Sequence, residues 1–199
     1  MRIRIMYIPE HFRVEDRREL EAFMRAHSFA TLVCTRADRL VATHLPFVVR
    51  ESDGGMHLLA HMARANEHWK AIEGREVLTV FMGPHGYVPP ALYENKLSVP
   101  TWNYAAVHAY GTARLVPPEP VLEALIQGLD PAYQAQWEEL SDTFKAKMTA
   151  GIVAFEITVH KLEGKYKLSQ NRPKVDRASV AAAYDGTEPG DLMTRSLNL

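Results

Sequence analysis

The segment from Leu58 to Trp69 contains the residues most suited to binding a charged ligand. An extended apolar run gives way there to the start of a helix, and Arg64 and Asn66 lie at the change. Free amide groups and the positive end of a helix dipole attract an anion, and a guanidinium adds paired hydrogen bonds that an ammonium cannot reproduce. This pattern indicates a phosphate-binding turn. The alternative is a solvated arginine, or one that tethers a helix to a sheet.

A second candidate site lies in the segment from Leu40 to Phe47, where His44 and Pro46 interrupt an otherwise regular strand. A proline removes a ladder donor, so strands tolerate it mainly at an edge or a bulge, where backbone groups can face a ligand. The pyrimidine edge of a flavin ring alternates donors and acceptors that such backbone groups can meet, and Thr43, His44 and Leu45 are the candidates. The alternative for His44 is a half-buried histidine bonded to a neighbouring strand.

Nine histidines raise the alternative of a metal or haem site. His57 and His61 lie about 13 Å apart on one predicted strand, at roughly 3.3 Å per residue, which is too far to share an ion. Cys34 is the only cysteine, which excludes an intramolecular disulfide and multi-cysteine zinc sites. We therefore expect no metal, although four histidines from separate segments could still converge in the fold. These are His44, His61, His85 and His108.

The charge balance argues against a general affinity for nucleic acid or anionic lipid. Lys and Arg total 23 against 24 Asp and Glu, so any contact with DNA must be local or indirect. The strongest positive cluster is the segment from Lys161 to Arg177, with six basic and two acidic residues, which suits a phosphate, a protein partner, DNA or a solvated loop. Residues 1–9 lack a cleavable apolar core, and no stretch reaches the roughly 20 apolar residues of a membrane span. We expect a cytoplasmic protein that does not contact the membrane.

Hydrophobic periodicity and turn residues predict the elements that position these sites. Strands are predicted at residues 29–35, 40–50, 56–61, 77–82, 102–116 and 152–159, the last continuing to about 167. Helices are predicted at residues 16–27, 65–72, 121–129, 132–148 and 176–184. We also expect a turn at 83–86, a surface loop at 87–100 and a polar tail after 186.

These elements predict an α+β, mainly β architecture on an antiparallel sheet or barrel, with the first three strands as a meander. At 199 residues the chain is expected to form one domain, with a short helical and polar extension from about residue 174. No nucleophile elbow, phosphate-binding glycine loop or dinucleotide fingerprint occurs in the sequence. Any redox or transfer chemistry therefore needs a bound cofactor.

Five motifs stand in a distinctive order along the chain. They are Tyr7-Ile-Pro9, His61-Met-Ala-Arg-Ala-Asn66, Phe81-Met-Gly-Pro-His-Gly-Tyr87, Val99-Pro-Thr-Trp-Asn-Tyr104 with Val107-His108, and Lys167-Leu-Ser-Gln-Asn-Arg172. Together they resemble the PaiB family of FMN-binding negative transcriptional regulators over nearly the whole chain. The resemblance implies an antiparallel split β-barrel with peripheral helices, of the pyridoxamine-phosphate-oxidase-like type. It also implies a homodimer that binds flavin mononucleotide (FMN) at its interface and represses sporulation and degradative-enzyme genes.

By position, the resemblance implies that residues 43–46 line the flavin ring and that residues 60–66 form the phosphate turn. It further implies that Gln170 and Asn171 reach the ring from the partner subunit. It leaves Trp102 and Asn103 without a role. The candidate cofactor-binding residues are Thr43, His44, Leu45, Pro46, Ala60, His61, Ala63, Arg64, Asn66, Gln170 and Asn171.

Two functions follow from the resemblance and the fold it implies. One is a repressor whose flavin is structural or redox-sensing, although no helix-turn-helix is recognisable to support DNA contact. The other is an FMN-dependent oxidoreductase acting on a small molecule, with His44 or His61 as proton donor.

Overall fold

The computed structural model of the chain describes residues 6–52, 54–95 and 97–197. Residues 1–5, part of the N-terminal segment considered above, lie outside this description. The chain divides into two compact units, which we call unit 1 and unit 2. Unit 1 consists of Met1–Leu20, Met82–Val107 and Glu163–Leu199, and unit 2 consists of Glu21–Phe81 and His108–Leu162.

Eight described strands form one antiparallel sheet. They are β1 (Arg13–Val14), β2 (Phe29–Arg36), β3 (Arg39–Pro46), β4 (Val48–Ser52), β5 (Gly55–Ala63), β6 (Glu76–Val88), β7 (Thr101–Val116) and β8 (Ile152–Lys167). The strand order is β3-β2-β6-β7-β8-β5-β4, and β1 pairs with β8. The ladder therefore does not close on itself, because β3 and β4 lie at its two ends.

Phe47 is the corner between these two end strands. The predicted strand at 40–50 is wrong here, because the chain leaves β3 after Pro46 and enters β4 at Val48 on the other side of the sheet order. The backbone amide of Phe47 donates to the carbonyl of Ser28 at 2.9 Å. The first three predicted strands are thus two hairpins, β2–β3 and β4–β5, rather than one meander. The proline that removes a ladder donor marks the break.

Six α-helices are present among the described residues. They are α1 (Arg17–Ala26), α2 (Pro118–Leu129), α3 (Gln134–Glu139), α4 (Asp142–Ala150), α5 (Lys174–Ala183) and α6 (Glu188–Leu197). The predicted start of α1 is confirmed, because the Asp16 carboxylate accepts hydrogen bonds from the amides of Arg18 and Glu19. Short 3₁₀ helices lie at Glu10–Phe12, Glu67–Ala71, Pro90–Leu92 and Pro131–Tyr133.

The core of unit 2 includes a cluster between α2 and the sheet. Its side chains are Leu59 of β5, Ala154 of β8, and Val121, Ala124 and Leu125 of α2. The helix begins at a proline, which suits the first turn because the missing amide would have no partner there. This packing fixes β5, which carries several of the candidate residues.

The predicted turn at residues 83–86 is wrong, since β6 continues through it to Val88. Gly86 allows a close approach rather than a turn, because an added Cβ would lie 2.6 Å from Cε1 of the Tyr184 ring. The hydroxyl of Tyr184 donates to the carbonyl of Tyr87. The glycine therefore reflects packing against the residue that ends α5.

The predicted polar tail is also wrong. The segment forms α6, in which Gly190, Met193 and Ser196 are buried. The guanidinium of Arg177 in α5 donates to the carbonyl of Ser196. The charged residues of the tail had suggested that it had little to bury, but the apolar residues on one helix face are enough to pack it onto α5.

Candidate functional site

Strand β3 lies at one end of the sheet order, so β2 is its only neighbour in the described ladder. Thr43 pairs with Leu32, and His44 pairs with Thr31. In an antiparallel pair every second residue turns its N–H and C=O groups away from the neighbouring strand. The outer edge of β3 therefore presents backbone donors and acceptors.

The side chain of Thr43 connects this edge to the turn that follows β5. The Asn66 amide Nδ2 donates to Thr43 Oγ1 at 3.2 Å, and the same hydroxyl lies 2.8 Å from His68 Nδ1. Asn66 Oδ1 also accepts a hydrogen bond of 3.1 Å from the amide of His68 and caps the 3₁₀ helix that follows. The structure thus brings together the two segments predicted to hold a ring and a phosphate.

His68 extends this network into the interior, a role that the sequence did not reveal. It is 1% exposed, and its Nε2 lies 3.0 Å from Cys34 Sγ. Burial lowers the pKa of His68, and the charge of Arg36 lowers it further. Burial raises the pKa of Cys34, and the charges of Arg75 and Arg36 oppose that change. The pair is therefore a neutral imidazole beside a thiol, which makes Cys34 a poor nucleophile.

Arg64 is exposed and anchored to the junction between α4 and β8. Its Nε donates to the carbonyl of Ala150 and its Nη2 to that of Ile152, both at 2.8 Å, while its backbone amide donates to Gly151 at 2.8 Å. The tether considered as an alternative is therefore present. A guanidinium has five N–H groups, and these bonds engage two of them. The remainder belong to an oriented cation that can still meet an anion.

The helix predicted at residues 65–72 is a 3₁₀ helix at Glu67–Ala71. A single short 3₁₀ turn aligns few peptide dipoles, so its positive end is a weak attraction for an anion. The Asn66 side chain is fully engaged, because its Oδ1 caps this turn and its Nδ2 donates to Thr43. The phosphate prediction consequently depends on the charge of Arg64 rather than on a helix dipole.

Three further candidates lie on β5. Ala60 pairs with Phe155 and is fully buried, whereas Ala63 pairs with Ile152 and is exposed. His61 is partly buried, its Nδ1 has no hydrogen-bond partner in the structure, and burial lowers its pKa. It is a neutral imidazole with an unused nitrogen at neutral pH.

The remaining β3 candidates differ in exposure. His44 is exposed, its Nδ1 lies 2.9 Å from Thr31 Oγ1, and its ring stacks on that of Phe29 with centroids 6.4 Å apart. The hydrogen bond to a neighbouring strand that the alternative requires is therefore present, but the side chain is exposed rather than half-buried. Leu45 is buried and Pro46 is partly exposed. A ligand at β3 would meet its backbone edge and the side chains of Thr43 and His44.

Gln170 and Asn171 belong to unit 1. Gln170 closes its own turn, because its Nε2 donates to the carbonyl of Tyr166 and its Oε1 accepts from the amide of Leu168, both at 2.6 Å. The side chain of Asn171 is exposed. Of these two side-chain amides, that of Asn171 is exposed, and that of Gln170 is partly buried and engaged in its own turn.

The structure gives Asn103 a role that the sequence left open. It is buried, and its Nδ2 lies 2.9 Å from the hydroxyl of Ser169. Ser169 has a φ of 69°, in the left-handed region that a serine rarely adopts. Asn103 therefore stabilises the turn that ends β8.

Within the described ranges, no group of three or more His, Cys, Asp or Glu side chains is arranged to hold a metal ion.

Comparisons with known proteins identify the family. The sequence model of the family described as "Putative FMN-binding domain" matches residues 6–161. Protease synthase and sporulation protein PAI 2 of Bacillus subtilis is 36% identical over 189 residues, which cover 92% of this chain and 91% of that protein. The chain belongs to the PaiB family of FMN-binding proteins.

Solved structures show the fold of this PaiB-family chain. The flavocytochrome Anf3 of Azotobacter vinelandii superposes with a TM-score of 0.62 at 20% identity, covering 80% of this chain and 72% of that one. An FAD and heme binding protein of Mycobacterium smegmatis superposes with a TM-score of 0.63 at 16% identity, covering 84% and 79%. The chain is thus an antiparallel split barrel with peripheral helices, as the resemblance implied. In the part of the chain that the structure describes, no helix is long and apolar enough to span a membrane.

The residues around β3 fit the cofactor of the PaiB family. A flavin ring needs alternating donors and acceptors along its pyrimidine edge, and the outer edge of β3 supplies backbone groups of both kinds. A dianionic phosphate needs a cation with free N–H groups, and Arg64 supplies one. Thr43 and Asn66 are bonded to each other. They can therefore set the spacing between the two parts of the site.

Proposed function

We propose that this chain is a PaiB-type regulator that holds the FMN ring along the outer edge of β3 and the FMN phosphate beside Arg64. The observation that carries the proposal is the hydrogen bond of 3.2 Å between Asn66 and Thr43. It joins the turn after β5 to the edge strand within unit 2. Together with the contact between Thr43 and His68, it fixes the spacing of two segments that lie 23 residues apart in sequence and would bind the two parts of the ligand.

Each residue of this site has a defined task. Arg64 neutralises the phosphate while its bonds to Ala150 and Ile152 keep the guanidinium from turning away. His61 and His68 remain neutral because burial lowers the pKa of both, so neither adds positive charge beside the flavin. Bound FMN supplies reversible one- or two-electron transfer, which the side chains alone do not offer.

The regulatory role rests on family membership and on the free edge of β3. The name of the Bacillus subtilis relative links that protein to protease synthesis and sporulation. The unpaired N–H and C=O groups of a free edge strand can pair with those of another chain. We propose that a homodimer covers it, with FMN at the interface as a structural or redox-sensing group. With 23 basic and 24 acidic residues, contact with DNA would depend on a local basic segment or on a protein partner.

An FMN-dependent oxidoreductase is the second candidate, and His61 favours it. Its Nδ1 is buried without a hydrogen-bond partner, and burial lowers its pKa. A neutral imidazole with an unused nitrogen can accept a proton and return it during reduction of a small molecule. His44 is the exposed alternative for the same task, held by Thr31.

The proposed phosphate site is tested by the Arg64→Ala variant with two flavins. FMN and riboflavin share the ring, but only FMN carries the phosphate. We expect FMN affinity to fall by about tenfold or more, as for the loss of a charge-assisted contact, while riboflavin affinity stays within about twofold. Arg114→Ala is the matched control, because Arg114 is an exposed arginine of unit 2 on β7 that the proposed site does not use. Equal losses for both flavins would mean that Arg64 acts only as a tether.

The regulator and the enzyme are separated by two assays on the flavin-loaded protein. A gel-shift assay at physiological salt tests DNA binding, and nicotinamide-dependent flavin reduction tests turnover. Binding without turnover supports the regulator, whereas turnover without binding supports the oxidoreductase. Light scattering on the same sample measures whether the chain is a dimer, and a monomer that retains FMN would contradict the interface site.

A further inference from the structure

Three cationic side chains in unit 1 lie outside the proposed flavin site. Lys165 and Lys167 are two residues apart on β8, so their side chains leave the same face of the sheet. Lys165 is 9% exposed, which is unusual for a lysine that is not paired with a carboxylate. Arg172 follows the strand and is partly buried. All three belong to the basic segment at residues 161–177.

The partners of the two lysines are neutral. Lys165 Nζ donates to the carbonyl of Tyr7 at 2.9 Å and lies 5.3 Å from the Tyr7 ring centroid and 5.4 Å from that of Tyr104. Lys167 Nζ donates to Thr101 Oγ1 at 2.5 Å and to the carbonyl of Trp102 at 2.6 Å. These oxygens and rings satisfy N–H groups and attract the cations, but they carry no opposing net charge.

Arg172 adds a third positive charge with the same kind of surroundings. Its guanidinium lies 4.0 Å from the ring centroid of Tyr93, and its Nη1 lies 3.4 Å from Ser98 Oγ. Burial lowers the pKa of Lys167, and the charges of Lys165 and Arg172 lower it further. The charges of Lys165 and Arg172 therefore both act on Lys167. Among the described residues, none of the partners found for these cations is a carboxylate.

Buried charge without a counter-charge is costly unless something pairs with it. Hydrogen bonds to carbonyl oxygens recover part of the lost hydration, and cation–π contacts recover a further part. Neither removes the repulsion between like charges. An anion placed near Lys167 and Arg172, which both reach the surface, would relieve it.

An exposed aromatic surface adjoins these cations. Trp102, whose carbonyl holds Lys167, is 53% exposed. Its ring lies 5.7 Å from that of Tyr87 and 6.1 Å from that of His85. The Tyr87 ring meets the indole edge-on at 66° and the His85 ring is tilted by 43°, so the flat apolar surface here is the exposed indole itself. It suits a planar group attached to the anion.

We propose that Lys165, Lys167 and Arg172 form a binding site for a small organic anion, a phosphate or carboxylate on a flat ring that packs against Trp102. Lys167 and Arg172 contact the anion, and Lys165 contributes its charge from beneath them. The site goes beyond the proposed flavin function. All of its residues belong to unit 1, and the proposed phosphate turn at Arg64 belongs to unit 2.

The probe is phenyl phosphate, titrated calorimetrically into the flavin-loaded full chain, with benzyl alcohol as the neutral ligand that has the same ring. We expect saturable binding of phenyl phosphate and none of benzyl alcohol. Lys167→Met should weaken phenyl phosphate binding by about tenfold or more, while Lys167→Arg keeps the charge and stays within about threefold. Lys174→Met is the matched control, because Lys174 is an exposed lysine of the same basic segment, and it should leave binding unchanged.

Three outcomes would overturn the site. The first is the absence of saturable binding. The second is an equal loss in Lys174→Met, which would show only general attraction to a basic segment. The third is competition, in which phenyl phosphate displaces FMN from protein reloaded after flavin removal and Lys167→Met weakens FMN but not riboflavin. The cations would then hold the phosphate of FMN itself. Failure of the flavin proposal alone looks different, because Arg64→Ala would leave FMN retention intact while phenyl phosphate still bound.

Discussion

A buried histidine in unit 2 and a buried lysine in unit 1 have opposite surroundings. His68, 1% exposed, is neutral and lies between the Cys34 thiol and the Thr43 hydroxyl at 3.0 and 2.8 Å. Lys165, 9% exposed, contacts a carbonyl and two aromatic rings, and none of the partners found for it among the described residues is a carboxylate. The first arrangement is complete by itself, whereas the second lacks a counter-charge. Buried polar groups whose partners all lie within the protein stabilise the fold, whereas a buried charge without a counter-charge is suited to binding a ligand.

The same distinction clarifies the flavin site. Thr43 and Asn66 satisfy each other and the cap of a short helix, so they fix the position of the β3 edge. Arg64 is held by carbonyls and has N–H groups to spare. Preorganised groups of this kind bind a ligand without the cost of ordering side chains. The predictions that follow alter one arrangement or the other.

The largest effect is expected from Phe47→Ala, which removes the corner that gives β3 its free edge. Phe47 is 1% exposed, and its ring lies 5.9 Å from that of Phe81 and 6.2 Å from that of Phe155. We expect the free energy of unfolding to fall by about 3–5 kcal/mol, as for other buried phenylalanines. Urea denaturation measures this. Phe144→Ala, at a side chain 45% exposed, should cost less than about 1 kcal/mol, and a similar loss in both variants would contradict the corner role.

That corner also marks what the sequence could predict. Strands β2, β7 and β8 agree with their hydrophobic patterns to within a residue or two. The separation of β3 from β4 depends on pairing with different partners on opposite sides of the sheet order, which alternation along one segment does not specify. Gly83 and Gly86 favoured a turn by type, but glycine within a strand can equally mark close packing.

The candidate site was predictable in its parts and not in its connections. The proline-interrupted strand indicates Thr43, and the change from strand to helix indicates Arg64, each separately. The contact of His68 with Cys34 joins residues 34 positions apart, and the bonds from Arg64 reach carbonyls 86 and 88 positions away. No local pattern encodes such distances, because they result from the register of the sheet. The only local signal for the network was an asparagine two residues before His68, which is typical of a cap.

The next effect in size concerns the scaffold in unit 2. Asn66→Ala removes the cap of the 3₁₀ helix and the donor to Thr43. We expect the free energy of unfolding to fall by about 1–2 kcal/mol, the usual loss for a cap residue. Asn171→Ala, at an exposed asparagine of unit 1, is the control and should change it by no more than about 0.5 kcal/mol. Equal midpoints in urea for Asn66→Ala and the native chain would show that the network is dispensable.

A smaller effect is expected from acid. Burial lowers the folded-state pKa of His61 and His68 below the ordinary value of 6.5, so the unfolded chain binds protons more readily. The stability that these neutral histidines contribute is present above about pH 6.5 and is lost as the pH falls through their lower folded values. The urea concentration at the midpoint of unfolding should therefore decrease as the pH is lowered from 7.5 to 5. The dependence on pH should become shallower in the variant carrying both His61→Gln and His68→Gln. The control His11→Gln, at an exposed histidine, should leave it unchanged.

The smallest effect, and one of opposite tendency, is expected from Lys165→Met in unit 1. The methionine keeps much of the aliphatic stem but removes a charge that no carboxylate balances, and the lost hydrogen bond to Tyr7 offsets part of the gain. Replacing poorly compensated buried charge by apolar groups is often neutral or stabilising. We therefore expect the free energy of unfolding without added anion to fall by no more than about 0.5 kcal/mol, or to rise. In 10 mM phenyl phosphate the native chain should gain more stability than the variant, because a ligand that binds only the folded state stabilises it by mass action. Without the anion, Lys165→Met could instead lower the free energy of unfolding as much as Asn66→Ala does. That result would show that the contacts of Lys165 stabilise the fold by themselves, as those of His68 do.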